Sequence, residues 1–162
     1  MIIASSRGHS AVIRLLLKHG ADIKQTNRLG ATPLFTACMT GRVSTARLLI
    51  ERGSDVNQAD RNDMHPLHAA CGRGDSCMVR LLLDLGATVD ATMESESTPF
   101  YFASRHGHTT TAQLLIEHGA DTKKATFKDE FSPLHVACCS GHTDTARLLI
   151  ERGADVNQAT TY

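Results

Sequence analysis

The sequence predicts an all-α solenoid of short helix-turn-helix units, and three observations carry that prediction. All four prolines, Pro33, Pro66, Pro99 and Pro133, stand 33, 33 and 34 residues apart. Ten of the twelve glycines follow the same period. One series, Gly8, Gly41, Gly74, Gly107 and Gly141, runs twelve residues ahead of another, Gly20, Gly53, Gly86, Gly119 and Gly153. Only 4% of residues are aromatic and none is Trp, while Leu, Ala and Ile are plentiful, which suits thin helical layers better than one thick core. A fixed period in this range marks a stacked repeat array.

The stretch from Asp63 to Ala87 shows what one unit holds. Pro66 stands where a first helical turn begins, and there its missing N–H costs nothing. Leu67, Ala69, Ala70 and Cys71 give a small apolar face, and Gly74 supplies a left-handed break. Met78-Val79-Arg80-Leu81-Leu82-Leu83 forms a second apolar helix that ends at Gly86. Helices under three turns long are marginal in water when isolated, so each unit must lean on its neighbours.

Thr32-Pro33-Leu34-Phe35-Thr36-Ala37, His65-Pro66-Leu67-His68-Ala69-Ala70, Thr98-Pro99-Phe100-Tyr101-Phe102-Ala103 and Ser132-Pro133-Leu134-His135-Val136-Ala137 resemble the ankyrin repeat motif. The second-helix endings Leu48-Leu49-Ile50-Glu51-Arg52-Gly53-Ser54-Asp55-Val56-Asn57 and Leu148-Leu149-Ile150-Glu151-Arg152-Gly153-Ala154-Asp155-Val156-Asn157 resemble it too. The resemblance covers essentially the whole chain. It implies an ankyrin-repeat solenoid with β-turn fingers between helix pairs, and a non-catalytic scaffold for protein partners. The expected organisation is one ankyrin-repeat domain over 1–162. It comprises a partial unit at 1–26, units at 27–59, 60–92, 93–126 and 127–159, and the start of a further unit at 160–162.

Taken in order, the elements follow from the local residues. The first unit lacks its Thr-Pro start, but its second helix is complete, with Ser10 as the expected cap and Val12, Ile13, Leu15, Leu16 and Leu17 as its apolar face. Asn27-Arg28-Leu29-Gly30 is turn chemistry, and helices are expected at about 33–40 and 43–51, with Phe35 where the motif has His. The next finger, Asp60-Arg61-Asn62-Asp63, has Asp where the family usually has Gly; Asp tolerates left-handed geometry, so the turn should survive. Met93-Glu94-Ser95-Glu96-Ser97 lacks both the initial Asp and the turn Gly. Phe100-Tyr101-Phe102 then places three aromatics in one helix, so at least one ring should face the groove or the neighbouring unit. The last full unit carries one inserted residue near Thr126 and a finger, Phe127-Lys128-Asp129-Glu130-Phe131, with two Phe. Neither end shows a polar outer face, so the chain reads as a segment of a longer array or as one whose ends are covered by self-association.

Composition narrows the function classes. Seventeen basic residues balance seventeen acidic ones. Without a basic stripe to displace counterions, nucleic acid is not expected as the partner. No apolar run approaches a transmembrane span, and Met1-Ile2-Ile3-Ala4 lacks the form of a signal peptide, so membrane insertion is not expected. Cys38, Cys71 and Cys138 share one position in the period; neighbouring equivalents should sit about 8–10 Å apart, beyond disulfide reach. They read as small core residues. With Cys77 and Cys139 they make an odd set of free thiols, which fits a reducing compartment, cytoplasmic or nuclear.

Nine histidines invite a catalytic reading, but the period absorbs seven of them. His68 and His135 share the motif position, where an imidazole bonds backbone of the adjacent turn. His9, His108 and His142 follow the mid-unit Gly. His19 and His118 precede the end Gly, where a cation suits a helix C-terminus. No nucleophile–base pair, Walker loop, His-Glu-x-x-His or paired carboxylate appears, and no metal or cofactor site is expected.

In the ankyrin family, partners usually bind the concave face of finger tips and first helices. Carried over by position, that face includes Arg28, Leu29, Ala31, Met39 and Thr40, then Arg61, Asn62, Met64, Gly72 and Arg73. It continues with Glu94, Ser95, Ser97, Tyr101, Arg105 and His106, and ends with Lys128, Asp129, Phe131, Cys139 and Ser140. Leu29, Met64 and Phe131 are apolar at positions expected to be exposed, and Arg73 and Arg105 fall at neighbouring helix ends. Glu94, Glu96, Asp129 and Glu130 set against Arg28, Arg61 and Arg73 read as a groove of both charge signs. The expected function is recognition of a protein or peptide on this face. The alternative is a structural spacer that stacks through its uncapped ends. Asn57 and Asn157 stand at the family's finger Asn, where their side chains should bond backbone within the turn; the resemblance makes them candidates for asparagine hydroxylation.

Overall fold

The computed structural model describes residues 1–124 and 131–157. Among them ten helices run in five antiparallel-reading pairs: α1 (Ile2–Arg7) and α2 (Ser10–Lys18), α3 (Pro33–Met39) and α4 (Val43–Glu51), α5 (Pro66–Arg73) and α6 (Ser76–Asp84), α7 (Pro99–Arg105) and α8 (Thr109–Glu117), α9 (Pro133–Cys139) and α10 (Thr143–Glu151). The described residues contain no strand.

The caps explain where the first helices begin. The Thr32 hydroxyl accepts the Phe35 N–H at 3.0 Å, Thr98 accepts that of Tyr101 at 3.1 Å, and Ser132 that of His135 at 3.4 Å, each with Pro at the first helical position. Gly74 closes α5 at φ +71°, a conformation that costs a glycine little. The second helices start differently. Ser10 is the first residue of α2, not its cap; His9 precedes it without a side-chain cap bond, and the Ser10 hydroxyl instead meets that of Thr45 on α4 at 3.0 Å.

The first helices, though shorter, contact one another more extensively than the second helices do. Small residues allow this: Ala37, Ala70, Ala103 and Ala137 are fully buried where α3, α5, α7 and α9 approach. A stack whose one layer packs closer curves toward that layer, so the first helices lie on the inside. The outer layer is filled by leucine pairs, Leu48 with Leu49, Leu81 with Leu82, Leu114 with Leu115 and Leu148 with Leu149, all buried. Of the expected apolar face of α2, Ile13 alone is fully buried; Val12 and Leu15 are exposed.

Polar rungs tie the pairs together. Hydroxyls meet between α2 and α4 (Ser10 and Thr45), between α6 and α8 (Ser76 and Thr111, 3.2 Å) and between α8 and α10 (Thr109 and Thr145, 2.8 Å). At the equivalent α4 and α6 positions both residues are apolar, Val43 and Met78, and Met78 is fully buried with the Cys38 thiol 3.7 Å from its sulfur. A second series joins each mid-unit turn to the preceding first helix. Arg42 Nε donates to the Ser6 carbonyl at 3.1 Å, His108 Nε2 to that of Gly72 at 3.1 Å, and His142 Nε2 to that of Arg105 at 3.0 Å. Asp75, at the corresponding position, caps α6 by accepting the Met78 N–H at 3.0 Å. Arg73, two residues earlier, provides the cation there, reaching the Met39 carbonyl at 3.4 Å.

The fingers are built by Asx turns. Asn27 Oδ1 accepts the N–H groups of Leu29 and Ala31, and Asp60 Oδ1 those of Asn62 and Met64. Asp63 takes the left-handed conformation at φ 55°, so that turn survives its Asp, and Glu96 does the same in the next finger at φ 57°. Neighbouring fingers are linked directly by the Arg61 N–H on the Leu29 carbonyl at 3.1 Å. Asn57 corrects the expectation of a bond within its own turn. Its Nδ2 donates to the Gly86 carbonyl and its Oδ1 accepts the Thr88 N–H, both in the following unit. Asp90 repeats half of this bridge by accepting the Asp121 N–H at 3.1 Å.

Cys38 and Cys71 are core residues, as their position in the period implies, and burial pushes both thiols far up. Cys138 is not: it is exposed, because no further helix pair covers α9 among the described residues. No described helix is long and apolar enough to cross a membrane.

Candidate functional site

The expected face comprises the ends of the inner helices and the finger tips, and its residues differ in exposure. On the tips, Arg28, Arg61, Asn62 and Glu94 are exposed, and Leu29 is 66% exposed. On the helix ends, Met39 is 49% exposed, and Arg73, Arg105, His106, Cys139 and Ser140 are exposed as well. Asn62, Met93, Glu94 and Ser95 line a shallow depression between two neighbouring tips.

Several expected surface residues are buried or half-buried. Tyr101 is buried, because it occupies the place of His68 in the period and that place points between units. Ala31 and Ser97 are buried too, and Ser95 is half-buried with its hydroxyl 2.9 Å from that of Ser97. Met64 is half-buried against the core, and Thr40 turns its hydroxyl back onto the Thr36 carbonyl at 2.8 Å. Phe131 is half-buried, its ring 6.2 Å from that of His135. Lys128, Asp129 and Glu130 lie outside the described residues.

The interior histidine has a defined tautomer. His68 Nδ1 accepts the His65 N–H at 3.1 Å, so Nε2 carries the proton and donates to the Ser97 carbonyl at 3.1 Å, in the next finger. Burial outweighs the bond to Ser97 and lowers its pKa to about 4, so the ring is neutral at neutral pH. His135 repeats the local half of the arrangement with Ser132. Phe102 provides the ring expected at the neighbouring unit: it is half-buried and stands edge-on to His68, centroids 5.6 Å apart at 79°.

Sequence reasoning left His65 outside the repeated histidine classes without giving it a role, and did not single out Met93. His65 stands where Thr32 and Thr98 cap their helices, yet its Nδ1 is buried without a hydrogen bond. The signal was a His at a Thr position of the period. Met93 borders the tip depression beside Glu94, and nothing in the period marked it. No three His, Cys, Asp or Glu side chains gather in a metal-binding arrangement among the described residues.

A family model described as ankyrin repeats in three copies matches residues 1–93 and again 67–160. No curated protein matches the chain.

Proposed function

The chain belongs to the ankyrin repeat family, and from that premise we propose that it recognises a protein or peptide through the face of its first helices and finger tips. Ankyrin repeats generally mediate protein–protein interaction and are typically non-enzymatic scaffolds. The observation that carries the reading is the pairing of exposed apolar side chains with exposed arginines on one face. Leu29 and Met39 are 66% and 49% exposed, and Arg28, Arg61, Arg73 and Arg105 are exposed on the same tips and inner-helix ends. Exposed apolar groups and arginines are the residue types that anchor interfaces. The scaffold beneath them is tied unit to unit by side-chain bonds, so little ordering cost is left for the partner to meet.

Affinity capture with mass spectrometry tests this, with the chain and a Leu29→Ala, Met39→Ala, Arg105→Ala variant as baits. Those side chains are exposed, so circular dichroism should be unchanged. Proteins captured by the chain and lost by the variant support the face; equal capture by both overturns it.

A second reading, stacking through the end faces, has its own observation. Ile3, Val12 and Leu15 are exposed by 78, 47 and 55%, and at the other end Ile150 and Val156 by 49 and 63%. It stands second because a head-to-tail copy would set the Thr143 hydroxyl against Val12, whereas the internal rungs match hydroxyl with hydroxyl or apolar with apolar. Sedimentation velocity over a wide concentration range decides it: a mass that rises with concentration favours stacking.

A further inference from the structure

Charge is segregated between the two helical layers. The first helices α1, α3, α5, α7 and α9 contain Arg7, Arg73 and Arg105 and no Asp or Glu. The second helices contain five basic residues, Arg14, Lys18, Arg47, Arg80 and Arg147, and five acidic ones, Glu51, Asp84, Glu117, Asp144 and Glu151. Among the described residues, the ion pair of Arg147 with Asp144 lies on α10, and His118, the residue that ends α8, stands 3.9 Å from Asp84 on α6. Of the acids flanking the inner helices, Asp60 is committed to the backbone of its own finger and Asp75 to the start of α6, while Asp63 and Glu96 hold exposed left-handed positions in the fingers. Among the described residues, neither Arg73 nor Arg105 has a carboxylate within ion-pair distance. His106 is held below its usual range by partial burial, then by His108, Arg105 and His142, as expected where the local field is positive.

The same layer has a gap. Met39, Gly72 and Arg105 occupy one position of the period on the adjacent helices α3, α5 and α7. Two long side chains therefore flank a glycine. Gly72 has no left-handed φ, and a Cβ built on it meets only the Phe102 ring, at an ordinary 3.5 Å. Neither backbone conformation nor crowding requires glycine there. Its effect is to leave no side chain at that position, with the half-buried Phe102 ring beside it.

We propose that the docking face takes an acidic segment of a partner protein, its carboxylates over Arg73 and Arg105 and one apolar side chain seated at Gly72 between Met39 and Phe102. This rests on the reading of that face as the partner surface and adds the partner's chemistry. Carboxylates are the groups that guanidiniums without an ion-pair partner complement. The Gly72 position offers an anchor site of the kind that carries most of an interface's energy. The mixed charges of the tips, Arg28 and Arg61 against Glu94 and Glu96, orient the partner but do not set the sign of what lies on the floor.

Selection of a random displayed-peptide library on the full chain, followed by fluorescence anisotropy of the enriched peptides, tests this. The expected consensus has Asp or Glu flanking one Leu, Ile, Met or Phe. Binding should weaken as salt rises, and Arg105→Glu should weaken it roughly tenfold or more. Gly72→Ala, which the backbone accepts, should weaken it by a similar factor, about tenfold, without lowering the unfolding midpoint. A basic or uncharged consensus whose binding is lost in Leu29→Ala, Met39→Ala overturns the acidic partner and leaves the face standing. Peptides indifferent to every variant overturn both. An RNA oligonucleotide bound through Arg73 and Arg105 in preference to any peptide, or no enrichment at all, also overturns the proposal.

Discussion

His65 and His68 stand three residues apart and show how one imidazole is built in and another is tolerated. His68 is fully buried, with both ring nitrogens bonded to backbone. Its pKa near 4, against an ordinary value of 6.5, means the unfolded chain binds a proton that the folded chain refuses. His68 therefore contributes its full stability above pH 6.5 and loses it as pH falls toward 4, on the order of 1 kcal/mol per pH unit within that window. Ring resonances followed by NMR should show no His68 protonation at pH 5.5; titration near 6.5 would contradict the buried geometry. His65 leaves α5 without the hydroxyl cap that Thr32 and Thr98 give α3 and α7. His65→Thr should raise stability by about 1 kcal/mol in urea unfolding. No gain would mean that the ring has a partner that outweighs a cap. His68 was legible from its recurrence at His135, whereas His65 could be seen only as a departure from the period.

At the scale of elements, the stack is held by a leucine layer and by rungs whose members match. Leu82, fully buried in the middle of the array, should cost about 2–5 kcal/mol when changed to Ala, since the cavity adds to the lost transfer energy. The α8–α10 rung allows a sharper test. Thr145→Val leaves the Thr109 hydroxyl unpaired at a partly buried site and should cost about 1 kcal/mol. Adding Thr109→Val should recover part of that cost, because it recreates the apolar pairing type already present at Val43 and Met78. A double-mutant cycle measures the coupling, and strict additivity would show that the rung contributes nothing. Arg73 illustrates a related exchange. Where Asp75 cannot donate, Arg73 reaches the Met39 carbonyl instead, so one side chain both clasps two helices and lines the docking face.

For the whole molecule, each helix pair packs on the pair before and the pair after, and stability is close to a sum of local and nearest-neighbour terms. Hydrogen exchange should therefore separate two lesions of equal chemistry. Leu149→Ala should deprotect α9 and α10 while leaving α3 to α6 near their original rates; Leu82→Ala should deprotect pairs on both sides. Uniform acceleration by either variant would indicate one cooperative unit. The same architecture separates the chain's balanced charge into an inner layer without carboxylates and an outer layer where both signs pair. A neutral sum concealed this, because formal charge carries no information about which layer a residue joins.

The sequence by itself determined the period, the helix pairs, their Pro starts and Gly ends, and most of the core. Each of these depends on residues within a single unit. Tertiary structure decided what happens between units. Tyr101 and Phe102 are adjacent aromatics, yet stacking buries the first and leaves the second half-open beside Gly72. Asn57 looked like a residue serving its own turn, and the next finger claimed its side chain. Cys138 shares its position in the period with Cys38 and Cys71 but not their burial, because burial depends on a following helix pair. Met64 is drawn half-buried against the core, while Leu29 stays exposed on the neighbouring finger. The physical reason is common to all four. Local propensity acts along the chain over a few residues, whereas the partner of a side chain in a solenoid is roughly one period away, and the direction of stacking chooses it.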